Sequence, residues 1–244
     1  MNGLKATNLT KSFGGVKAVE NLTFSVESGT VFSLLGVNGA GKTTAIRMLT
    51  GLLTPDSGTA ELCGYPMGSA EAKSCIGLSP QETSTAPNLT VAENLTMTAA
   101  IYGLDHPKDA AGEIMESLSL TDHRNKYAKH LSGGLRRRLS IGMGIIHRPK
   151  ILFLDEPTLG LDVLARRELW ELVNHLRQSM TILLTTHYME EAEALSDKIA
   201  VMNCGKLRAS GTLDDLRNMT GLNSLEDIFV SISLNGLTGE GGAR

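Results

Sequence analysis

The chain has 244 residues, a formal net charge of −3 and a pI near 6.1, enough for one α/β domain or two small ones, with no electrostatic case for nucleic acid or an anionic membrane surface. The three cysteines, Cys63, Cys75 and Cys204, are odd in number and far apart in sequence, so neither a disulfide framework nor a zinc site is indicated and a reducing cytosol fits best. The longest apolar runs, such as 31–36 and 151–154, are strand-length, far short of the about 20 residues of a membrane-spanning helix.

The N-terminus lacks the basic-then-apolar layout of a signal peptide. Short β-like runs come first, at 5–9, 22–26 and 31–35, with turn material at Gly14-Gly15 and Ser28-Gly29. The third run leads into a glycine-rich loop and a helical pattern over 42–52, a strand–loop–helix unit. Residues 59–62 and 75–78 read as further strands. From Thr90 to about His147 the signals turn helical, over 91–102, 110–118 and 134–146. Strand 151–154 follows, then an amphipathic helix over 164–176 with Leu169, Leu172, Val173 and Leu176 at helical spacing. Strands 181–185 and 198–202 flank a helix over 189–195, and the glycine-rich residues 235–244 read as a flexible tail. Alternating strands and helices predict an α/β fold with a mostly parallel core sheet, into which a helical subdomain, about 90–147, is inserted.

The loop Gly36-Val37-Asn38-Gly39-Ala40-Gly41-Lys42-Thr43 has the P-loop spacing, and Thr44 continues it into the helix. Glycines let the backbone wrap a polyphosphate closely, and the following helix presents its positive end to it. Lys42 would reach the β- and γ-phosphates, and the Thr43 hydroxyl would ligate Mg²⁺. Strand 151–154 runs straight into Asp155-Glu156. A buried strand ending in Asp155 holds that carboxylate at the carboxyl edge of the sheet, where it can complete the Mg²⁺ shell, and Glu156 stands one residue on, placed to polarise an attacking water. Taken alone, the P-loop says only that the chain is a nucleoside triphosphatase, and two acids ending a strand can be ordinary solvated side chains.

Leu131-Ser132-Gly133-Gly134-Leu135 narrows the class. With the strand motif it resembles the ABC ATPase family, whose signature reads Leu-Ser-Gly-Gly-Gln, and Ser132 with two glycines before a helix makes a second anion-binding helix terminus. The resemblance covers about residues 4–231, with the motifs in the family's order. It implies a P-loop fold with an N-terminal antiparallel β subdomain and a helical subdomain carrying the signature. It also implies a head-to-tail dimer, homo- or heterodimeric, in which each ATP is held by one subunit's P-loop and by Ser132, Gly133 and Gly134 of the other. Gln81 resembles the Q-loop glutamine that contacts Mg²⁺ and water. Asp162, in 157–162, resembles the D-loop aspartate at the dimer interface; His187 resembles the switch histidine at the γ-phosphate; Phe13 resembles the aromatic that stacks on adenine. Glu156, His187 and Gln81 are thus the expected catalytic set. Leu135 departs from the signature's glutamine, Phe13 from the commoner tyrosine and Val37 from the commoner proline, and none of these changes removes a catalytic group. The run Arg136-Arg137-Arg138 reads as a solvated helix face, with one arginine available for a dimer or membrane-subunit contact, rather than as a nucleic-acid patch.

The stretch Thr186-His187-Tyr188-Met189-Glu190-Glu191 and the late Leu225-Glu226-Asp227-Ile228-Phe229 are similar to the family branch that drives export of drugs, sodium ions, lipids and peptides. That resemblance implies separate membrane-spanning permease subunits, reached through the segment 82–93, and a place at the cytoplasmic face of the cell membrane. Two other readings compete. Ribosome-acting relatives carry two cassettes and chromosome-acting ones long coiled coils, and this sequence has neither; a soluble assembly ATPase is compatible with the length, but not favoured by the late segment.

Overall fold

The computed structural model describes residues 2–235; apart from Asn235, the expected tail lies outside them. The first half opens with β1 (Asn2–Phe13) and β2 (Val16–Glu27), followed by β3 (Val31–Leu35), α1 (Lys42–Leu49), β4 (Ser57–Leu62), β5 (Tyr65–Pro66), α2 (Ala70–Ser74) and β6 (Ile76–Ser79). Three helices follow, α3 (Val91–Ile101), α4 (Pro107–Ser117) and α5 (Gly133–Ile145). The remainder runs β7 (Ile151–Asp155), α6 (Val163–Leu176), β8 (Thr181–Thr186), α7 (Met189–Leu195), β9 (Lys198–Asn203), β10 (Lys206–Gly211), α8 (Leu213–Thr220) and α9 (Leu225–Asn235).

These strands form two sheets. One is antiparallel, in the order β2-β1-β4-β5; the other has six strands in the order β10-β9-β3-β8-β7-β6. In the second sheet β9, β3, β8, β7 and β6 pair in parallel, and only β10 is antiparallel to its neighbour. The sequence explains why this sheet lies in the middle. β3, β7 and β8 are buried at every position, as parallel strands covered on both faces must be. Their side chains alternate between two cores. Phe32, Leu34, Ile151, Phe153 and Leu183 join the core under the antiparallel sheet and α1, while Leu152, Leu154, Ile182 and Leu184 join the core under α3–α6. A third core packs Leu225, Ile228, Phe229 and Ile232 of α9 against Val201 of β9 and Ala192 of α7. The late segment 225–229 is thus the first part of a helix that closes the far edge of the sheet.

Local chemistry sets the helix ends. Thr90 and Glu93 form a reciprocal capping box on α3, Pro107 occupies the first turn of α4, and Asp162 caps α6 through Ala165 N–H at 2.9 Å. Between β6 and α5 the approach is so close that a Cβ on Gly77 would fall 2.1 Å from Gly144 O, so glycine is needed there for space. The fold also brings together two cysteines that are remote in sequence: the Cys63 thiol is pushed up to about 11, first by burial and then by neighbouring Cys75. Among the described residues no helix is long and apolar enough to cross a membrane.

Candidate functional site

Four neighbouring strands of the six-stranded sheet deliver the candidate residues to one edge. The P-loop leaves β3, Gln81 follows β6, Asp155 and Glu156 end β7, and His187 follows β8, all at the carboxyl ends of parallel strands. A cleft of about 430 Å³ is lined there by Phe13, residues 38–44, Gln81, Glu156 and Leu159.

The loop is shaped for an anion. Gly41 has φ +100°, and a Cβ on it would lie 2.4 Å from Ala18 O, so no other residue fits. Gly41 is also the N-cap of α1 and offers no side-chain cap, and the first intrahelical bond of that turn is Ala45 N–H to Gly41 O at 2.9 Å. The N–H groups of Gly41, Lys42, Thr43 and Thr44 are therefore directed out of the helix end towards the cleft. Gly36, Val37, Asn38, Gly39 and Ala40 complete the turn, with Ala40 N–H bonded to Val37 O at 3.1 Å.

Beside the phosphate loop three ionisable side chains form one array. The Lys42 ammonium donates to Gly36 O at 2.7 Å and Val37 O at 3.2 Å, and pairs with Glu156 Oε1 at 2.9 Å. Glu156 Oε2 meets His187 Nδ1 at 2.5 Å. Lys42 and Glu156 are both buried. Glu156 has φ +49°, a left-handed conformation that costs a non-glycine residue about 1–3 kcal/mol and recurs at active sites. It is held there by its own N–H, which bonds Thr185 Oγ1 at 2.9 Å and Thr185 O at 3.2 Å. Thr185 Oγ1 in turn donates to Asp155 Oδ1 at 2.6 Å. Thr43 Oγ1 donates to the same Asp155 oxygen at 3.2 Å. A hydroxyl and a carboxylate meeting at the loop's end are the hard oxygen donors that suit Mg²⁺, with Gln81 in the same cleft as a third oxygen source.

Phe13 lies at the cleft's outer wall, half exposed, with Lys11 Nζ 5.9 Å from its ring centre. His187 packs on Tyr188, ring centres 4.1 Å apart, and the Arg166 guanidinium covers Tyr188 at 4.4 Å. The signature lies apart from this cleft. Ser132 caps α5 by accepting from Leu135 N–H at 3.3 Å, with Ser132 and Gly133 exposed; a Cβ on Gly134 would come 3.2 Å from Ala165 Cβ, so the D-loop helix α6 packs closely beside it. Asp162 is exposed at the start of α6.

The arginine run is not the solvated face its sequence suggests. Arg137 is 4% exposed, because residues 137, 140 and 144 share the face of α5 that packs on β6. Burial lowers its pKa from the ordinary arginine value, and Asp155 and Glu191 oppose that shift. Glu191, on α7, escaped sequence reading as well. Its carboxyl is wholly buried: Oε1 accepts from Trp170 Nε1 at 3.3 Å, Oε2 lacks a well-formed hydrogen bond, and the Thr186 and Thr158 hydroxyls lie alongside. Thr185 could have been found from its place at the end of an apolar strand; Arg137 and Glu191 look in the sequence like surface charges.

A glycine loop between a buried strand and a helix, facing an acid at the end of a neighbouring strand, defines a P-loop nucleotide-binding protein. The family profile described as ABC transporter matches residues 19–159. The linearmycin resistance ATP-binding protein LnrL of Bacillus subtilis is 40% identical over 233 residues, covering 93% of this chain and 75% of that protein. The daunorubicin/doxorubicin resistance ATP-binding protein DrrA of Streptomyces peucetius is 40% identical over 227 residues, 91% of this chain and 69% of that one. A solved structure described as the ATP binding subunit of an ABC transporter superposes with a TM-score of 0.83 at 30% identity, over 94% of this chain and 98% of that chain. The chain belongs to the ATP-binding proteins of the ABC transporter family, and its fold is theirs.

Proposed function

We propose that this protein hydrolyses ATP as a head-to-tail dimer and so drives export by separate membrane-spanning subunits, to which it attaches at the cytoplasmic face. The observation that carries the chemistry is the Lys42–Glu156–His187 array at the mouth of the phosphate loop. Phe13 offers a flat apolar face for adenine, and the main-chain N–H groups of Gly41, Lys42, Thr43 and Thr44 bind the phosphates. Thr43, Asp155 and Gln81 would hold Mg²⁺, which when bound neutralises charge on the β- and γ-phosphates. A polyphosphate in the loop competes with Glu156 for Lys42. Once Lys42 turns to phosphate, Glu156 Oε1 is free to take the proton of the attacking water, while His187 keeps the carboxylate oriented through Oε2. Ser132, Gly133 and Gly134 of a second copy would close the site over the γ-phosphate, with Asp162 at the seam. The dimer partner can be the same chain or a related one; nucleic acid is not expected.

The export assignment draws support from the names of LnrL and DrrA, both resistance ATP-binding proteins, and of a relative of Cupriavidus metallidurans, 41% identical over 218 residues, named a Nod factor export ATP-binding protein. Affinity purification of a tagged copy from gently solubilised membranes tests it. A polytopic membrane protein recovered in comparable amount is the expected result. Recovery from the cytosol alone or with soluble partners only would overturn the transport assignment and leave an assembly ATPase in its place.

A further inference from the structure

Gln81 enters the cleft from a segment with no strand or helix of its own, since β6 ends at Ser79 and α3 begins at Val91. Something must hold its main chain if the side chain is to stay at the nucleotide. The Arg137 guanidinium donates to Pro80 O at 2.6 Å and to Gln81 O at 2.8 Å, two charge-assisted bonds from one planar fork. Its neighbours do otherwise: Arg136 donates to Leu131 O at 3.3 Å, just ahead of its own helix, and Arg138 pairs with Glu168 at 2.8 Å.

The clamp extends a rigid seam. One turn further along α5, Ser140 and Ser79 share a hydrogen bond of 2.9 Å, and a turn beyond that Gly144 lies against Leu78, with a Cβ on it only 2.9 Å from Leu78 O. Residues 137, 140 and 144 thus fasten one face of α5 to β6 and the loop that leaves it. At its other end α5 is capped by Ser132, about 7.5 Å of helix rise from Arg137. The same rigid rod therefore carries the signature at its tip and the Q-loop's anchor in its second turn.

We propose that Arg137 is a positioning residue that ties the Q-loop main chain to the signature helix, so that Gln81 keeps its place in its own chain's nucleotide cleft and moves when the signature helix moves. The inference deepens the ATPase reading and rests on it. In a head-to-tail pair the tip of α5 faces the partner's nucleotide while Gln81 faces its own, so the clamp links the two sites.

The test compares the full-length protein with Arg137→Met, Arg137→Lys, Gln81→Ala and the Arg137→Met/Gln81→Ala double variant. Arg137→Met is expected to lower kcat for ATP about tenfold to a hundredfold with KM nearly unchanged, as misplacement of a catalytic group does. Arg137→Lys, which keeps one charged donor, regains part of that loss. In the Gln81→Ala background the Arg137→Met change costs nothing more. Amide hydrogen exchange quickens in 81–86 of Arg137→Met and not in the core strands. Wild-type kcat in Arg137→Met, an equal loss with and without the Gln81 side chain, or unchanged exchange in 81–86 overturns the proposal. Should the wild type hydrolyse no ATP, the ATPase reading falls on its own and the exchange measurement still decides whether Arg137 holds the loop. If Arg137→Met fails to fold, the same readouts are taken on Arg137→Lys, where wild-type kcat together with wild-type exchange overturns the clamp.

Discussion

Glu191 shows how one residue can set a pH dependence without touching the chemistry. Its pKa is raised, chiefly by burial, while the Thr186, Thr158 and Trp170 side chains and the Arg166 charge oppose that shift. A carboxyl raised in this way contributes stability in its protonated form below the unfolded value of about 4.3, and the contribution is lost as pH climbs through the folded value. Glutamine at this position keeps an acceptor for Trp170 N–H and never ionises. The Glu191→Gln variant is therefore expected to gain on the wild type as pH rises above the acid range, and to lose that advantage towards pH 4. Urea midpoints at several pH values check it; parallel curves for the two proteins would show that Glu191 does not titrate on unfolding.

At the scale of elements, contact between α5 and β6 is set by the absence of side chains. Gly77→Ala drives a Cβ into Gly144 O, so it is expected to cost about 1–3 kcal/mol, and more if the backbone cannot yield. Thermal unfolding reads this directly, and a melting temperature like the wild type's would mean that α5 lifts freely. That contact also marks where sequence reading stops. The buried strands 31–35 and 151–154, the P-loop and the amphipathic face of α6 were legible because each has a local period or a fixed spacing that physics imposes. The twelve-residue β1 and β2 were read as five-residue runs, because their exposed positions carry Lys, Asn and Glu and their register contains shifts. α4 was expected from 110 but starts at Pro107, a first-turn proline. β10 carries too few apolar residues to show a period before β9 supplies a partner, whereas α8 went unread although Leu213, Leu216 and Met219 stand at helical spacing, because eight residues give that spacing only two turns to repeat. In the site, Gly36 to Thr44, Asp155, Glu156, Gln81 and His187 come to one sheet edge. Arg137 was misread because its burial is decided by what α5 packs on, which no run of three arginines records.

On the scale of the whole molecule, one chain displays two helix ends suited to anions, and they do not converge. The P-loop end of α1 lies in the cleft with Glu156, whereas Ser132 at the start of α5 does not line it and is exposed. Next to Asp162, Val163 and Leu164 are 66% and 74% exposed, more apolar surface than an isolated helix start needs. A second copy packed head to tail would bring Ser132 onto the first copy's γ-phosphate and cover those side chains. Removing the proposed general base, Glu156, should then trap the pair, because ATP would bridge both halves and would not be consumed. Glu156→Gln is expected to bind ATP normally, to hydrolyse it about a hundredfold or more slowly, and to sediment as a dimer with ATP but not with ADP. Adding Ser132→Asp separates the two halves of the site. Aspartate caps a helix as well as serine does, so α5 should persist, but its charge opposes the partner's γ-phosphate. Like-charge contact of that kind costs several kcal/mol, so the double variant is expected to bind ATP through its own P-loop and dimerise at least about a hundredfold more weakly. Sedimentation velocity on Glu156→Gln with and without Ser132→Asp decides the matter: a dimer indifferent to Ser132→Asp, or no dimer at all with ATP, would remove the signature from the partner's site.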